Sequence, residues 1–131
     1  MVAFENGNAL MITETNTRRI EPGITIFSIS GRLTLGNALM TAENDLRRLV
    51  QEGARKVIVD LTGLISIDSS GIGMLVSCFG HMEQQGGRMR IAGVQEAVSK
   101  ILNMVHIDRI VPVDADVESS SRHLTADAAS A

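Results

Sequence analysis

The sequence is poor in aromatic residues and in cysteine. It contains three Phe, no Trp and no Tyr, so it lacks the side chains on which single-stranded nucleic acid stacks. Its formal net charge of −3 gives no attraction to a phosphate backbone. We therefore expect no nucleic-acid ligand. The only cysteine, Cys78, has no second cysteine with which to form an internal disulfide.

Long hydrophobic runs are also missing. The weakly charged stretch at residues 69–85 is interrupted by Glu83, and it is too short and too polar to serve as a membrane span of about 20 residues. Residues 1–12 show neither a basic region nor a sustained apolar region, so no secretory signal is visible. These absences lead us to expect a cytoplasmic protein that does not contact a membrane.

What is present suits one folded domain. The chain has 131 residues, of which 44% are hydrophobic, enough for one core. We expect the domain to span residues 8–118. Residues 1–7 are then an N-terminal extension, and the Ser/Ala-rich residues 119–131 are a flexible tail, although residues 116–124 could also form a short helix.

The first half of the chain predicts a hairpin followed by a helix. Residues 10–18 alternate weakly and read as an edge strand, and residues 24–29 form a β-branched run after a Glu-Pro-Gly turn. Residues 31–36 are expected to be a loop. From Asn37, which we take as the cap, apolar residues recur at helical spacing until Gly53.

The second half predicts parallel strands joined by helices. Residues 57–61 and 89–92 are short apolar runs with a helical pattern between them, and such a unit makes a right-handed parallel pair. A third helix is expected over residues 94–105 and a last strand over residues 110–113. Loops at the carboxyl ends of parallel strands gather at one rim of a sheet, so we expect the loop at residues 32–36 near the start of the middle helix.

That middle helix begins at the sequence Asp-Ser-Ser-Gly-Ile-Gly, residues 68–73. Ile72, Leu75, Phe79 and Met82 recur at helical spacing, which makes Asp68 the natural N-cap. A cap does not account for the two glycines, each of which costs a helix about 1 kcal/mol relative to Ala. Residues 69–80 also contain no charged side chain, whereas a surface helix normally turns charges to water. Together these features predict a partner-facing surface.

The hexapeptide resembles the Asp-Ser-Ser-Gly-Leu-Gly signature of the STAS domain, the family of anti-sigma factor antagonists and of the cytoplasmic tails of sulfate transporters. The resemblance covers most of the chain, because the order of the flanking strands and turns also agrees. It implies an α/β fold: a STAS-like single domain with a mixed four- to five-stranded sheet and about four helices. A transporter tail fits less well, since no membrane span accompanies the domain.

The resemblance also implies a function, that of a bacterial regulator of transcription. The second serine of the signature, Ser70, would be the phosphoacceptor, with Ser69 as the less favoured choice. The unphosphorylated domain would bind an anti-sigma factor that is itself a serine kinase, and a phosphatase would reverse the modification. The residues that we expect at the contact are Thr34, Asp68, Ser69, Gly71, Gly73, Met74, Ser77 and Cys78.

One position departs from the family pattern. Many antagonists read Gly-x-Leu-Asp after the second strand, whereas here Gly31-Arg32-Leu33 is followed by Thr34. If the missing carboxylate helps a kinase to engage, this chain would bind its partner and yet be phosphorylated poorly. Thr34 as a second phosphoacceptor is a weaker alternative, because a Thr after a strand usually serves turn chemistry.

Other functions receive less support. The serines lack a Gly-x-Ser-x-Gly elbow, and none of the three histidines stands in a motif that places it beside Ser70, so we expect no enzyme. One Cys and scattered His give no metal-ligand spacing, and no phosphate-binding fingerprint is complete, so neither a metal nor a cofactor is expected. A docking module without phosphorylation remains the alternative function, and a homodimer is left open.

Overall fold

The computed structural model describes residues 12–130, and within this range six strands form one mixed sheet with helices on both faces. The elements in chain order are β1 (Glu14–Ile20), β2 (Ile24–Leu33), α1 (Asn37–Gln51), β3 (Lys56–Asp60), β4 (Leu64–Ile67), α2 (Ser69–Gln84), β5 (Arg88–Ala92), α3 (Glu96–Met104), β6 (Val113–Asp114) and α4 (Val117–Ser130). The α/β class is confirmed, and the described sheet has one strand more than expected.

The hairpin formed by β1 and β2 confirms the first expectation. The two strands pair antiparallel without interruption, from Glu14 opposite Ser30 to Ile20 opposite Ile24. β1 starts and ends later than expected, because its turn needs only the three residues that follow Ile20. Leu10, where we expected the strand to begin, lies outside the described residues.

The remaining strand pairs are parallel. The sheet order is β1-β2-β3-β5-β6, and the parallel pairing of β3 with β5 around α2 confirms the predicted crossover. β6 shares only Val113 with the strand expected at residues 110–113, so that expectation is wrong for residues 110–112. A 3-10 turn at Ile107–Arg109 occupies the preceding chain, and Pro112 has no N–H to donate to a ladder.

β4 is a strand that the sequence did not predict. It pairs in parallel with the end of β2, where Gly31 lies opposite Leu64 and Leu33 lies opposite Ile67. Because this pairing extends β2 to Leu33, the expected loop at residues 31–36 is wrong for its first half. The expectation that Asn37 caps α1 is also wrong: Asn37 is the first helical residue, and Gly36 occupies the cap position without a side-chain bond.

The core has two parts, one on each face of the sheet. The larger part lies between the sheet and helices α1, α2 and α3, with Phe27, Leu46, Val59, Leu75 and Met82 among its buried residues. The smaller part lies under α4, where Leu124 packs with Ile24, Ile26, Ile58 and Ala92.

α4 corrects the expectation of a flexible tail from residue 119. Ser120 is fully buried and its hydroxyl donates to the Asp114 carboxylate, while Leu124 is 1% exposed. Asp114 also accepts two hydrogen bonds from Arg90 of β5, at 2.6 and 3.1 Å. The helix is therefore fixed to the sheet by an apolar contact and by a polar network.

Candidate partner-binding site

Asp68 joins two segments of the chain at the rim where the parallel strands end. As the N-cap of α2, its carboxylate accepts the N–H of Gly71 at 3.0 Å. The other carboxylate oxygen accepts the N–H of Leu35, from the loop between β2 and α1, also at 3.0 Å. The expected cap and the expected closeness of the two loops are both confirmed.

These hydrogen bonds also fix the charge of the site. The N–H of Leu35 and then that of Gly71 hold the pKa of the Asp68 carboxyl below its usual value, because hydrogen bonds to a carboxylate favour its ionised form. The positive end of the α2 dipole acts in the same direction. One negative charge therefore stays at the start of α2 at neutral pH, two residues before Ser70.

The two glycines of the motif have different surroundings. A Cβ atom added at Gly71 would lie 2.2 Å from the backbone oxygen of Leu33 and 2.7 Å from Cγ1 of Ile67. Gly71 is buried, and the close approach that it allows is to the strands of this chain. The expectation that Gly71 lies at the partner contact is therefore wrong. A Cβ at Gly73 would meet no atom within 4 Å, which leaves exposed Gly73 open to a partner.

The remaining motif residues divide between the two sides of α2. Ser69, Gly73 and Ser77 are exposed and Ser70 is half-buried. Met74 and Cys78 are 3% and 2% exposed, so their expected role in partner contact is wrong. They belong with Leu75 and Met82 to the stripe of α2 that packs on the sheet, because residues three or four apart share one helix face.

Two exposed apolar side chains beside the motif were missed. Leu35 is 79% exposed and Met40, in the first turn of α1, is 60% exposed. Met40 is apolar but lies outside the buried stripe formed by Leu39, Ala42, Leu46 and Val50, and this was the one signal available in the sequence. Nothing in the sequence around Leu35 marked it as part of a surface.

Arg47 shows how Met40 is placed relative to Ser70. Its guanidinium donates to the hydroxyl of Ser77 and forms an ion pair with Glu43 at 3.2 Å, so Arg47 connects α1 to α2. Both helices start at the same rim and run in the same direction. Met40 precedes Arg47 by seven residues, as Ser70 precedes Ser77, so each lies about two helical turns before the contact between Arg47 and Ser77.

We give the exposed and half-buried residues around the start of α2 one name, the α2 surface. It consists of Leu35, Met40, Ser69, Ser70, Gly73 and Ser77. Thr34, half-buried between the end of β2 and Leu35, borders it. The segment of α2 in this surface carries no charge, and the Asp68 carboxylate and the Arg47 guanidinium lie at its ends.

Among the described residues, we find neither a reactive thiol nor a metal site. Burial raises the pKa of the Cys78 thiol to about 11, which keeps it protonated and unreactive. Within residues 12–130, no group of three His, Cys, Asp or Glu side chains is arranged to hold a metal ion. No helix in the same range combines the length and the apolar character that a membrane span requires.

Comparison with known families identifies the class of protein. The model of the STAS domain matches residues 17–120, which is most of the chain. The protein therefore belongs to the STAS domain family.

Individual relatives agree with this assignment. The chain is 25% identical over 91 residues to the anti-sigma F factor antagonist of Paenibacillus polymyxa, covering 70% of this chain and 78% of the relative. A crystal structure of an anti-sigma factor antagonist from Mycobacterium paratuberculosis superposes with a TM-score of 0.76 at 15% identity, over 87% of this chain and 95% of that one. Unphosphorylated SpoIIAA, an anti-sigma factor antagonist, gives 0.72 at 18% identity, over 86% and 97% of the two chains. The fold is that of anti-sigma factor antagonists.

Proposed function

We propose that this protein is a partner-switching regulator that binds an anti-sigma factor through the α2 surface when Ser70 is unphosphorylated. The observation that carries the proposal is the composition of that surface. A half-buried hydroxyl lies on an uncharged helix face, bordered by Leu35 and Met40, which are 79% and 60% exposed. Exposed apolar side chains around an uncharged patch are typical of a protein interface.

Phosphorylation at this position would act through charge. A phosphate adds a charge of about −1.5 to −2 and three acceptor oxygens. The unpaired N–H groups and the dipole at the start of α2 favour it, so the fold tolerates the modified state. The Asp68 carboxylate nearby adds to the negative potential. An interface that excludes water from an uncharged patch would reject this charge, and the partner would leave.

A relative supports this mechanism. SpoIIAA, which has the same fold, has been solved in an unphosphorylated and a phosphorylated form, the second with a TM-score of 0.65 to this chain. We carry the modification to Ser70 because it occupies the second serine of the motif. Ser69, exposed one residue earlier, is the alternative acceptor. An anti-sigma factor with serine kinase activity would supply the phosphate, and a phosphatase would remove it.

A constitutive docking module is the second candidate. It is favoured by Thr34, which stands beside the α2 surface where many antagonists carry an acidic residue. In this version the partner binds the same surface and Ser70 is not modified. Thr34→Asp restores the acidic side chain, so a gain in phosphorylation of this variant would show that Thr34 limits the kinase.

The experiment begins with affinity capture from the native host and identification of the bound protein. The purified partner is then titrated against the wild type, Ser70→Ala and Ser70→Asp by calorimetry. We expect Ser70→Ala to bind like the wild type and Ser70→Asp to bind at least about tenfold more weakly, since a desolvated charge costs more than 1.4 kcal/mol. Ser99→Asp, on α3, is the matched control and should bind normally.

Mass spectrometry separates the two candidates. Incubation of the wild type with the partner and ATP should add one phosphate to Ser70 if the protein is a switch. Loss of binding in Ser70→Asp without phosphorylation of the wild type would favour the constitutive module. Normal binding of Ser70→Asp would contradict any role of the α2 surface in a desolvated contact.

A further inference from the structure

Within the described part of the chain, β1 is the strand at one edge of the sheet. Of its seven residues, all are exposed except Ile20, which is half-buried. Within residues 12–130 its only hydrogen-bonded neighbour is β2, with which it pairs in unbroken register. The strand at the opposite edge, β6, is less suited to pairing with another chain, because it has only two residues and follows Pro112. A long regular edge strand is a template for pairing with another strand.

We propose that two copies of this chain associate through β1, which pairs antiparallel with β1 of the second copy and joins the two sheets into one. The contact is centred on Asn16. In a two-fold arrangement the same strand edge serves both copies, so a single self-complementary segment is sufficient. The proposal concerns an edge of the sheet that the α2 surface does not include, and it does not rest on the proposed function.

The sequence of β1 selects this register. Side chains alternate between the two faces of a sheet along a strand, and two residues opposite each other must lie on the same face of the joined sheet. Each pair must therefore join two even-numbered or two odd-numbered residues. With Asn16 opposite Asn16, Glu14 of each copy faces Arg18 of the other, and Thr15 faces Thr17. The contact then contains two pairs of opposite charge.

Neighbouring registers lose these pairs. Centring the contact on Thr15 places Glu14 opposite Asn16, and centring it on Thr17 places Glu14 opposite Ile20 and Arg18 opposite Asn16. Centring it on Arg18 places two guanidinium groups against each other. Among these four registers, only the one centred on Asn16 places an arginine opposite Glu14.

The hairpin itself does not use these charges. On the β2 side, Glu14 lies opposite Ser30 and Arg18 lies opposite Ile26, so neither has an oppositely charged cross-strand neighbour. The α2 surface stays free in the pair, because α2 follows β4, which pairs with the other side of β2. A contact between two strands of seven residues each buries little surface, so we expect a weak, concentration-dependent dimer.

A charge-swap experiment tests the register. Sedimentation velocity over a range of concentrations is measured for the full chain, for Glu14→Arg, for Arg18→Glu and for the double variant that exchanges the two charges. Each single substitution turns two attractive pairs into two repulsive ones, so we expect the dimer dissociation constant to rise about tenfold or more. The double variant should return to the wild-type value.

Arg19→Glu is the matched control. It makes the same change of charge one residue along the strand, on the opposite face of the sheet, where in the proposed register the facing residue is Thr13. We expect its dissociation constant to stay within about threefold of the wild type. Circular dichroism spectra that match the wild type will establish that each variant is folded.

Two results would overturn the proposal. The wild type could sediment as a monomer at every concentration reached, which would mean that β1 does not pair with a second copy. Alternatively, the wild type could dimerise with a dissociation constant that neither single substitution changes, which would assign the contact to another surface. Failure of either kind would leave the binding results for Ser70→Asp unaffected.

Discussion

Gly71 and Gly73 provide a matched test of why glycines stand at the start of α2. In Gly71→Ala the new methyl group would lie 2.2 Å from the backbone oxygen of Leu33, which cannot rotate away, and 2.7 Å from Ile67 Cγ1. The intrinsic helix preference of Ala returns about 1 kcal/mol, while a forced shift in a packed region costs about 1–3 kcal/mol. Because the backbone contact is severe, we expect the free energy of unfolding to fall by about 1–2 kcal/mol.

Gly73→Ala should have the opposite effect on stability. Its methyl group would meet no atom within 4 Å, so only the gain in helix preference remains, about 0.5–1 kcal/mol. Urea denaturation followed by circular dichroism measures both variants, and equal m-values will show that the comparison is of stability alone. In thermal unfolding the Gly73→Ala midpoint should rise by about 2–5 °C.

The same pair of variants separates packing from partner binding. If a partner approaches the α2 surface at Gly73, Gly73→Ala will weaken partner binding while it stabilises the free protein. Equal or greater stability of Gly71→Ala would refute the packing argument for the first glycine. A stabilised Gly73→Ala variant that binds the partner normally would refute a close contact at the second.

Two further predictions concern buried polar groups. Burial raises the pKa of the Asp114 carboxyl, but hydrogen bonds from Arg90 and Ser120 outweigh burial and leave the pKa below its usual value. The stability that this ionised group contributes is therefore present above about pH 4 and is lost as the pH falls through the pKa of the folded state. When the free energy of unfolding is measured against pH, it should fall less steeply on the acid side in Asp114→Asn than in the wild type. The Cys78 thiol, whose pKa burial raises to about 11, should react with a thiol reagent at pH 8 only at the rate of unfolding, and rapid labelling of the native protein would contradict its burial.

The parts of the fold that follow from local pattern could be predicted from the sequence. The hairpin, the helix periods and the β3-α2-β5 crossover each have a signal within about 40 residues, and all three are confirmed. β4 has no such signal. Its four residues form a strand because the end of β2 offers an unpaired edge, and that is a property of the folded sheet.

The site was predictable in its centre and not at its border. Asp68 was identified as the cap because its chemistry is local, and the half-buried position of Ser70 follows from the start of the helix. Leu35 joins the α2 surface only because its N–H reaches Asp68 across 33 positions of the chain. Met74 was misplaced because closeness to the glycines in sequence was taken for a shared surface, although the helical period turns it into the core.

The C-terminal helix shows most clearly how packing overrides composition. Residues 119–126 are rich in Ser and poor in apolar residues, yet Leu124 fills the space between Ile24, Ile26, Ile58 and Ala92. A buried Leu→Ala substitution typically costs 2–5 kcal/mol, so Leu124→Ala should lower the free energy of unfolding by about 2–4 kcal/mol. Arg122→Ala, two residues away on the exposed side, should change it by less than about 0.5 kcal/mol.

Hydrogen exchange can locate the effect of Leu124→Ala. If α4 is part of the domain, amides in β3 and β5 that it covers should lose protection together with those of α4 itself, because α4 contacts both strands. If α4 were a separable tail, only its own amides would exchange faster and the unfolding midpoint would stay at the wild-type value. That second outcome would contradict the packing of Leu124 and would show that residues 119–126 are flexible, as their composition suggests.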